Sequence, residues 1–335
     1  MNKNNHIKYN VILIGEGISS LCFLNILKNT KEFSNIKILI IEKKSIEDVY
    51  FEDTFPFYFN KIINFKNFEV VPQKLNLRIW ENNKEYKICT KSISERFSKK
   101  LLNKTSKTTI DFIDGSEKII YTQYNTDHID RKKQFITLLK TNLNVHDNIS
   151  FIYDEPVIHI DQNKKIINTN KNSYQFEHLI STIPLNIFLT LSNNIKYLKL
   201  LYSCDFNIYT IRTNENKYEV TYCSDEKIRF SRIAHLGYKI FIESREKLCF
   251  NNLNNYEEQL FNNLGISFLI NSKNRNFIHT QNNRFINLSK SDHEIICNEF
   301  EKNSVYFIGR YANWVYKLTE NIYDDSYDII KKLRN

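Results

Sequence analysis

Residues 10–43, YNVILIGEGISSLCFLNILKNTKEFSNIKILIIEKK in context, constrain the chain more than any other stretch. The apolar run Val11–Ile14 ends in Gly15-Glu16-Gly17. A helical pattern follows through Leu21, Leu24, Ile26 and Leu27, and a second apolar run, Ile36–Ile41, ends in Glu42. Strand, glycine turn, helix, strand and acid in that order predict a dinucleotide-binding unit. Gly15 permits the tight turn, and Gly17 carries no side chain to obstruct a pyrophosphate. The helix beginning near Ile18 aims free N–H groups and its positive dipole end at the phosphates. Glu42, at the tip of the second strand, is placed to accept hydrogen bonds from ribose hydroxyls. Ser20 stands where the pattern usually has a third glycine, and is small enough for close helix–strand packing. The chain has only six glycines in 335 residues, so two of them in one turn is a signal rather than background.

The length suffices for two domains, and 41% hydrophobic with 25% charged residues is ordinary for a globular chain. The formal charge is +9, concentrated in residues 84–107, where eight Lys and Arg stand against Glu85 and Glu95. This stretch reads as a solvated helix with its flanks, or as a surface that attracts an anionic substrate, nucleic acid or an acidic partner. No nucleic-acid-binding motif accompanies it. Six cysteines, at 22, 89, 204, 223, 249 and 297, show no metal-ligand spacing, so no metal and no disulfide is expected and a reducing, cytoplasmic compartment is the simplest expectation. No signal peptide is recognised, and no run of about 18 apolar residues predicts a membrane span.

Aromatic residues crowd positions 50–68, and Ser92-Ile93-Ser94-Glu95 reads as a capping box. Asp130 is a plausible N-cap for a helix carrying Phe135, Ile136, Leu139 and Leu143. A strand and a hairpin are expected over 149–168, then a buried strand, His178–Pro184, that returns to the parallel sheet. Antiparallel strands are expected at Phe206–Arg212, Tyr218–Cys223, Lys227–Ala234 and Gly237–Glu243. Arg232 falls on an otherwise apolar face of the third, so it needs either an internal carboxylate or an anionic ligand. Tyr256–Leu264 reads as a helix, and residues 267–297 as strands and loops of no clear pattern. Val305–Ile308, Gly309, Arg310 and a closing helix repeat the strand, glycine turn, helix order. Arg310 there is suited to a charge-assisted bond with a phosphate.

Four pieces thus stand in order: Gly15-Glu16-Gly17 with Glu42, HLISTIP (178–184), YCSDEKIRFSR (222–232) and GRYANW (309–314). The set resembles the FAD-dependent amine-oxidase-type flavoprotein superfamily, in the branch grouped with UDP-galactopyranose mutase and protoporphyrinogen oxidase. The resemblance implies an α/β fold: a Rossmann-like FAD-binding domain from residues 1–50, 130–185 and 300–335, and an interleaved α+β substrate domain with an antiparallel sheet from 51–129 and 186–299. It implies FAD held by Gly15, Gly17, Ser19, Ser20, Glu42, the Val157 backbone, Gly309 and Arg310, and a substrate face containing Arg232 and Tyr222. The first motif alone also fits NAD; the returning C-terminal glycine turn favours FAD. No catalytic acid or base is identified; the candidates His178 and His235 read as packing or surface histidines.

The implied function is an FAD-dependent oxidoreductase that moves a hydride from a small amine or alcohol, in one version anionic, to flavin N5. A redox-neutral UDP-sugar mutase and a non-catalytic flavin-binding or scaffold protein are the alternatives. Two departures bear on the choice. The stretch beside the expected flavin, 51–59, is Phe/Tyr-rich where the group carries Gly or His, and the loop after Trp314 is longer, with a turn expected at Asp324-Asp325-Ser326.

Overall fold

The computed structural model describes residues 7–33, 35–45, 70–86, 100, 117–123, 131–143, 147–267, 278–285, 287–315, 317 and 319–334. The aromatic segment 50–68, the capping box at 92–95, Asp130 and most of the basic stretch lie outside them. In chain order the strands and helices are β1 (Ile7–Ile14), α1 (Ile18–Lys28), β2 (Ile38–Ile41), β3 (Val70–Glu81), β4 (Lys84–Tyr86), β5 (Glu117–Gln123), α2 (Arg131–Leu143), β6 (Ile149–Ile152), β7 (Val157–Asp161), β8 (Ile166–Thr169), β9 (Ser173–Ser181), α3 (Leu185–Leu191), β10 (Ser203–Cys223), β11 (Phe230–Ser244), α4 (Asn255–Asn263), β12 (Ile278–Phe285), α5 (Lys290–Glu301), β13 (Val305–Phe307), α6 (Arg310–Asn313) and α7 (Thr319–Lys332).

The first sheet has the order β6-β2-β1-β9-β8-β7, with β13 also paired to β9. Its five strands β6, β2, β1, β9 and β13 are parallel. Alternation sends successive side chains to opposite faces. Val11, Leu13, Ile38 and Ile40 enter one core with residues of α1, α2 and α7. Ile12, Ile14, Leu39 and Ile41 enter another with α3, α5 and Trp314. Both faces are covered, which is why β1 and β2 read as unbroken apolar runs in the sequence. The register aligns Ile14 with Ile41 and Ser181, Ile41 with Ile152, and Ser181 with Phe307. The carboxyl ends of all five parallel strands therefore lie along one edge.

The second sheet has the order β11-β10-β3-β4, with β12 on β10 and β5 on β3. It is antiparallel except for β10 against β3. Asn82 and Asn83, both at positive φ (51° and 59°), form the two-residue turn between β3 and β4. The four strands read from the sequence over 206–243 appear as the arms of β10 and β11. Residues 207–212 pair with 239–244 and residues 217–222 with 232–237, with an irregularity after Arg212. A straight strand would carry Ser231 and Glu243 some 40 Å apart, at about 3.3 Å per residue. Instead the Ser231 hydroxyl donates to Glu243 O at 3.1 Å, and the Ser244 hydroxyl to Arg229 O at 2.9 Å. β11 thus doubles back near Gly237, whose φ is +66°.

Two expectations are corrected. Residues 290–301, read as part of a patternless stretch, are helix α5. Ser289 caps it by accepting from Asp292 N at 3.1 Å, and Ile296 and Phe300 bury one face. Phe300 meets Phe188 and Phe307 edge to face. The turn expected at Asp324-Asp325-Ser326 lies inside α7. Ser326 returns its hydroxyl to Ile322 O at 2.6 Å, and Ile322, Ile329 and Ile330 share the core with α1. Helical burial of that stripe outweighs the local turn preference of Asp and Ser.

Lys100 also departs from its sequence context. It belongs to the basic stretch, yet its ammonium donates to Cys223 O, Asp225 O and Phe230 O, each at 2.8 Å. These carbonyls ring the connection between β10 and β11. Burial pushes the Lys100 ammonium down to about 8 from the usual 10.5. The unfolded chain then holds that proton more tightly than the folded one between the two values, so stability rises with pH across this window. Against a Lys100→Met variant, the unfolding free energy of the parent protein should gain between about pH 8 and pH 10.5. Denaturant titrations at several pH values check this, and a difference that stays flat rejects it.

Candidate functional site

The edge where the parallel strands end collects Gly15–Gly17 after β1, Glu42 after β2, Thr182 after β9 and Gly309 after β13. Gly15 has φ +93°, and its N–H donates to Ile41 O at 2.9 Å. A Cβ on Gly15 would stand 2.8 Å from Thr182 Oγ1. The Thr182 hydroxyl lies within reach of Ile14 O and Gly15 O, at 2.9 and 3.2 Å. The Ser20 hydroxyl donates to Gly15 O and sits 3.0 Å from the Thr182 hydroxyl. Ser20 is fully buried. In place of a third glycine the chain thus has a hydroxyl pair that ties the turn to α1 and to β9; Ser20 shapes the turn from inside.

Gly17 is different. Its φ of −94° and ψ of 177° suit any residue, and an added Cβ would meet nothing within 4 Å. Among the described residues, no contact demands glycine there. The position opens on a cavity of about 320 Å3 whose walls run from Gly15–Gly17 through Glu42 and Lys44 to Val157. Among the described residues no side chain caps the N-terminus of α1, and its first turn holds no acidic residue. Its leading N–H groups are thus open to an anion from outside the helix.

Glu42 accepts from Glu16 N on Oε2 at 2.8 Å and from Lys44 N on Oε1 at 3.0 Å. One backbone donor on each oxygen fixes the carboxylate at the cavity wall and leaves acceptor positions for hydroxyl groups. Val157 borders the same cavity beyond Glu42. Four of the sequence-predicted residues, Gly15, Gly17, Glu42 and Val157, therefore meet in one cavity.

Ser19, Gly309 and Arg310 do not line it. Gly309, at φ +91°, packs on the first turn of α1, where a Cβ would come within 3.0 Å of Ser19 Cβ. The first and last motifs of the chain are thus in direct contact. Asn313 holds the second turn, donating to Phe307 O and Gly309 O at 3.1 Å each, while its Oδ1 lies 3.0 Å from His293 Nε2. The Arg310 guanidinium lies 5.7 Å from the centre of the Tyr311 ring.

Arg232 and Tyr222 face each other across β11 and β10 in the second sheet. Arg232 pairs with the buried carboxylate of Glu243. The internal-acid alternative is therefore the one present. The neighbouring Arg229 is likewise satisfied inside, through Glu257 at 2.6–2.9 Å. His178 and His235 are both held below the usual imidazole range, chiefly by burial.

Sequence reasoning passed over one residue at the turn. The Glu16 side chain is buried, and Lys140 from α2 reaches its Oε1 at 2.7 Å. Lys140 also donates to Tyr153 OH at 2.7 Å. A carboxylate between the two glycines of such a turn would repel an anion there; Lys140 neutralises it. Nothing local in the sequence ties residue 16 to residue 140.

No protein-family model and no curated protein matches the chain by sequence. Solved structures do match by fold. A reduced UDP-galactopyranose mutase superposes with a TM-score of 0.60 at 9% identity, covering 96% of this chain and 93% of its own. A protoporphyrinogen oxidase-type protein from Exiguobacterium sp. gives 0.61 at 8% identity over 98% and 99%. An oxidoreductase from Methanosarcina mazei gives 0.55 at 10% identity over 97% and 100%. The first two carry the names of the two kinds of protein in the resemblance drawn from the motifs, and the likeness, one of fold, spans nearly the whole chain.

The Glu16–Lys140 pair yields a stability test. Lys140→Ala strands a buried carboxylate and should cost about 3–5 kcal/mol of unfolding free energy. The double change Glu16→Gln with Lys140→Met should recover most of it. Urea unfolding of the three proteins measures both values, and no recovery in the double variant would count against charge pairing as the cause.

Proposed function

We propose that the chain is an FAD-dependent oxidoreductase whose cofactor lies along the carboxyl edge of the parallel sheet. The observation that carries this reading is Gly17: a glycine required neither by its backbone angles nor by packing, at the mouth of a cavity and ahead of an uncapped helix. The missing Cβ is space for a pyrophosphate, and the α1 N–H groups supply its hydrogen bonds. Glu42, already oriented by two backbone donors, takes the ribose hydroxyls. The Val157 backbone borders the adenine, while Gly309 keeps the second glycine turn against Ser19 so that Arg310 stands on the flavin side of α1. A bound flavin would supply a two-electron acceptor, and the protein's part is to hold and orient it. A small amine or alcohol is the proposed hydride donor. The fold similarity to oxidoreductases supports this reading.

The redox-neutral UDP-sugar mutase reading asks for a free guanidinium at the substrate face. Arg232 pairs with Glu243 instead, so the oxidoreductase reading leads.

The first test is the absorbance spectrum of purified protein before and after FAD addition and desalting. Retained bands near ~375 and ~450 nm, as for any bound oxidised flavin, are expected. A colourless protein after FAD addition supports the non-catalytic scaffold alternative. A pair of glycine variants separates binding from folding. Gly17→Ala should unfold within about 1 kcal/mol of the parent, the scale of exchanging an N-cap residue for alanine, yet lose FAD. Gly309→Ala should itself be destabilised by about 1–3 kcal/mol, because its φ is strained for alanine. Thermal melts with and without FAD distinguish the two.

A further inference from the structure

We infer that Glu155 reads the base of the bound nucleotide and selects a purine bearing a 6-amino group over one bearing a 6-keto group. The inference rests on the nucleotide reading of the cavity given above and adds a residue that no sequence motif marks.

Glu155 lies in the turn that leaves β6. Its N–H donates to Glu42 O at 3.2 Å, which puts it on the same wall as the proposed ribose acceptor, one step further from the glycine turn. It lines the cavity beside Val157 and is only 3% exposed. All of its side-chain hydrogen bonds fall on one oxygen. Oε1 accepts from Thr169 Oγ1 at 2.5 Å, Tyr174 OH at 2.8 Å and Asn172 Nδ2 at 3.3 Å. The donors are held in that role. The Thr169 hydroxyl accepts from Asn172 N at 2.9 Å and Lys171 N at 3.3 Å, and of the two acceptors within reach of its one hydrogen, Glu155 Oε1 is nearer at 2.5 Å than Asn172 O at 3.0 Å. Burial and the Glu155 carboxylate push the Tyr174 hydroxyl up to about 12, so it keeps its proton at neutral pH.

Among the described residues, Oε2 accepts no hydrogen bond and no Lys or Arg pairs with the carboxylate. A buried carboxylate with one crowded and one vacant oxygen is costly unless the vacant one meets a donor. In a cavity that opens at a phosphate end and continues past a ribose acceptor, the next donor a ligand brings is on its base. The exocyclic amine of adenine donates there. Hypoxanthine presents a keto oxygen at that position, which Oε2 repels, and its nearest donor, N1–H, lies one ring position away from the place of the amine.

The crowded oxygen makes a sharp prediction for Glu155→Gln. Thr169, Tyr174 and Asn172 all donate to Oε1 in the parent, and an amide that keeps these three bonds turns its carbonyl to them and its NH2 to the cavity. The vacant acceptor becomes a donor, and the preference should invert towards the 6-keto base. A backbone contact at Val157 favouring adenine would not invert in this way.

The experiment is isothermal titration of the full-length apoprotein with ADP and with IDP, using FAD as the reference ligand, on the parent and on Glu155→Gln. The parent should bind ADP at least tenfold more tightly than IDP, and the variant should bind IDP at least as tightly as ADP. The parent ratio alone decides the selectivity even if the variant fails to fold. Equal ADP and IDP affinities in a parent that binds FAD overturn the inference and leave the flavin reading standing. A folded variant that keeps the parent's ADP preference also overturns it. Failure of FAD, ADP and IDP alike on folded parent protein removes the nucleotide reading, and this inference with it.

Discussion

The register of the parallel strands is the constraint on which everything else depends. Ile14, Ile41, Ile152, Ser181 and Phe307 stand side by side, so five loops from distant parts of the chain open on one edge. Parallel strands have their side chains buried on both faces, and a slip of one residue would exchange the two cores. The alternating assignment of Val11 and Leu13 to one core, and Ile12 and Ile14 to the other, makes such a slip costly. The same register brings Thr182 to the Gly15 turn, where its hydroxyl and that of Ser20 tie the turn to two elements.

Glycines in these turns answer to different physical demands. Gly15 and Gly309 adopt positive φ, and each abuts a neighbour that a Cβ would strike, Thr182 in one case and Ser19 in the other. Both are needed by the fold. Gly17 has neither demand, and its open side faces the cavity. A residue kept small without an internal reason is the firmest pointer to a ligand in this molecule, because glycine costs conformational entropy that no contact within the chain repays.

Buried carboxylates mark a second pattern. Glu16, Glu243 and Glu257 each meet a cation, Lys140, Arg232 and Arg229 in turn. For Glu257, burial raises the carboxyl, but the Arg229 guanidinium and backbone N–H groups outweigh it and hold it below its ordinary value. Glu155 is buried too, yet it is held by hydroxyl and amide donors on one side only. The contrast is chemical: those three acids are neutralised by cations, Glu81 and Asp225, buried as well, accept from the Ser224 hydroxyl and from the N–H groups of Asn82 and Lys227, and Glu155 keeps an acceptor position at a cavity.

Much of this was legible in the sequence because it is local. A turn between an apolar run and an amphipathic helix needs glycine at defined offsets, so Gly15, Gly17 and Glu42 announce the first turn, and Gly309 the last. The hairpin of β7 and β8 and the arms of β10 and β11 show in the same way, as short-range alternation and turn chemistry. Helix α5 was not legible: its apolar stripe is narrow, and packing of Phe300 on Phe188 and Phe307 supplies what local propensity lacks. Partner choice was also beyond reach. Whether Arg232 met a ligand or an internal acid turned on β11 folding back to bring Glu243 beside it. Lys100 read as one cation among eight until three carbonyls of a distant turn closed on it. Periodicity and turn chemistry act between near neighbours and so are written in order along the chain. Charge pairing, and the direction of a buried acceptor, depend on residues from 11 to more than a hundred positions apart, at separations no local pattern marks, and only the folded sheets bring those together.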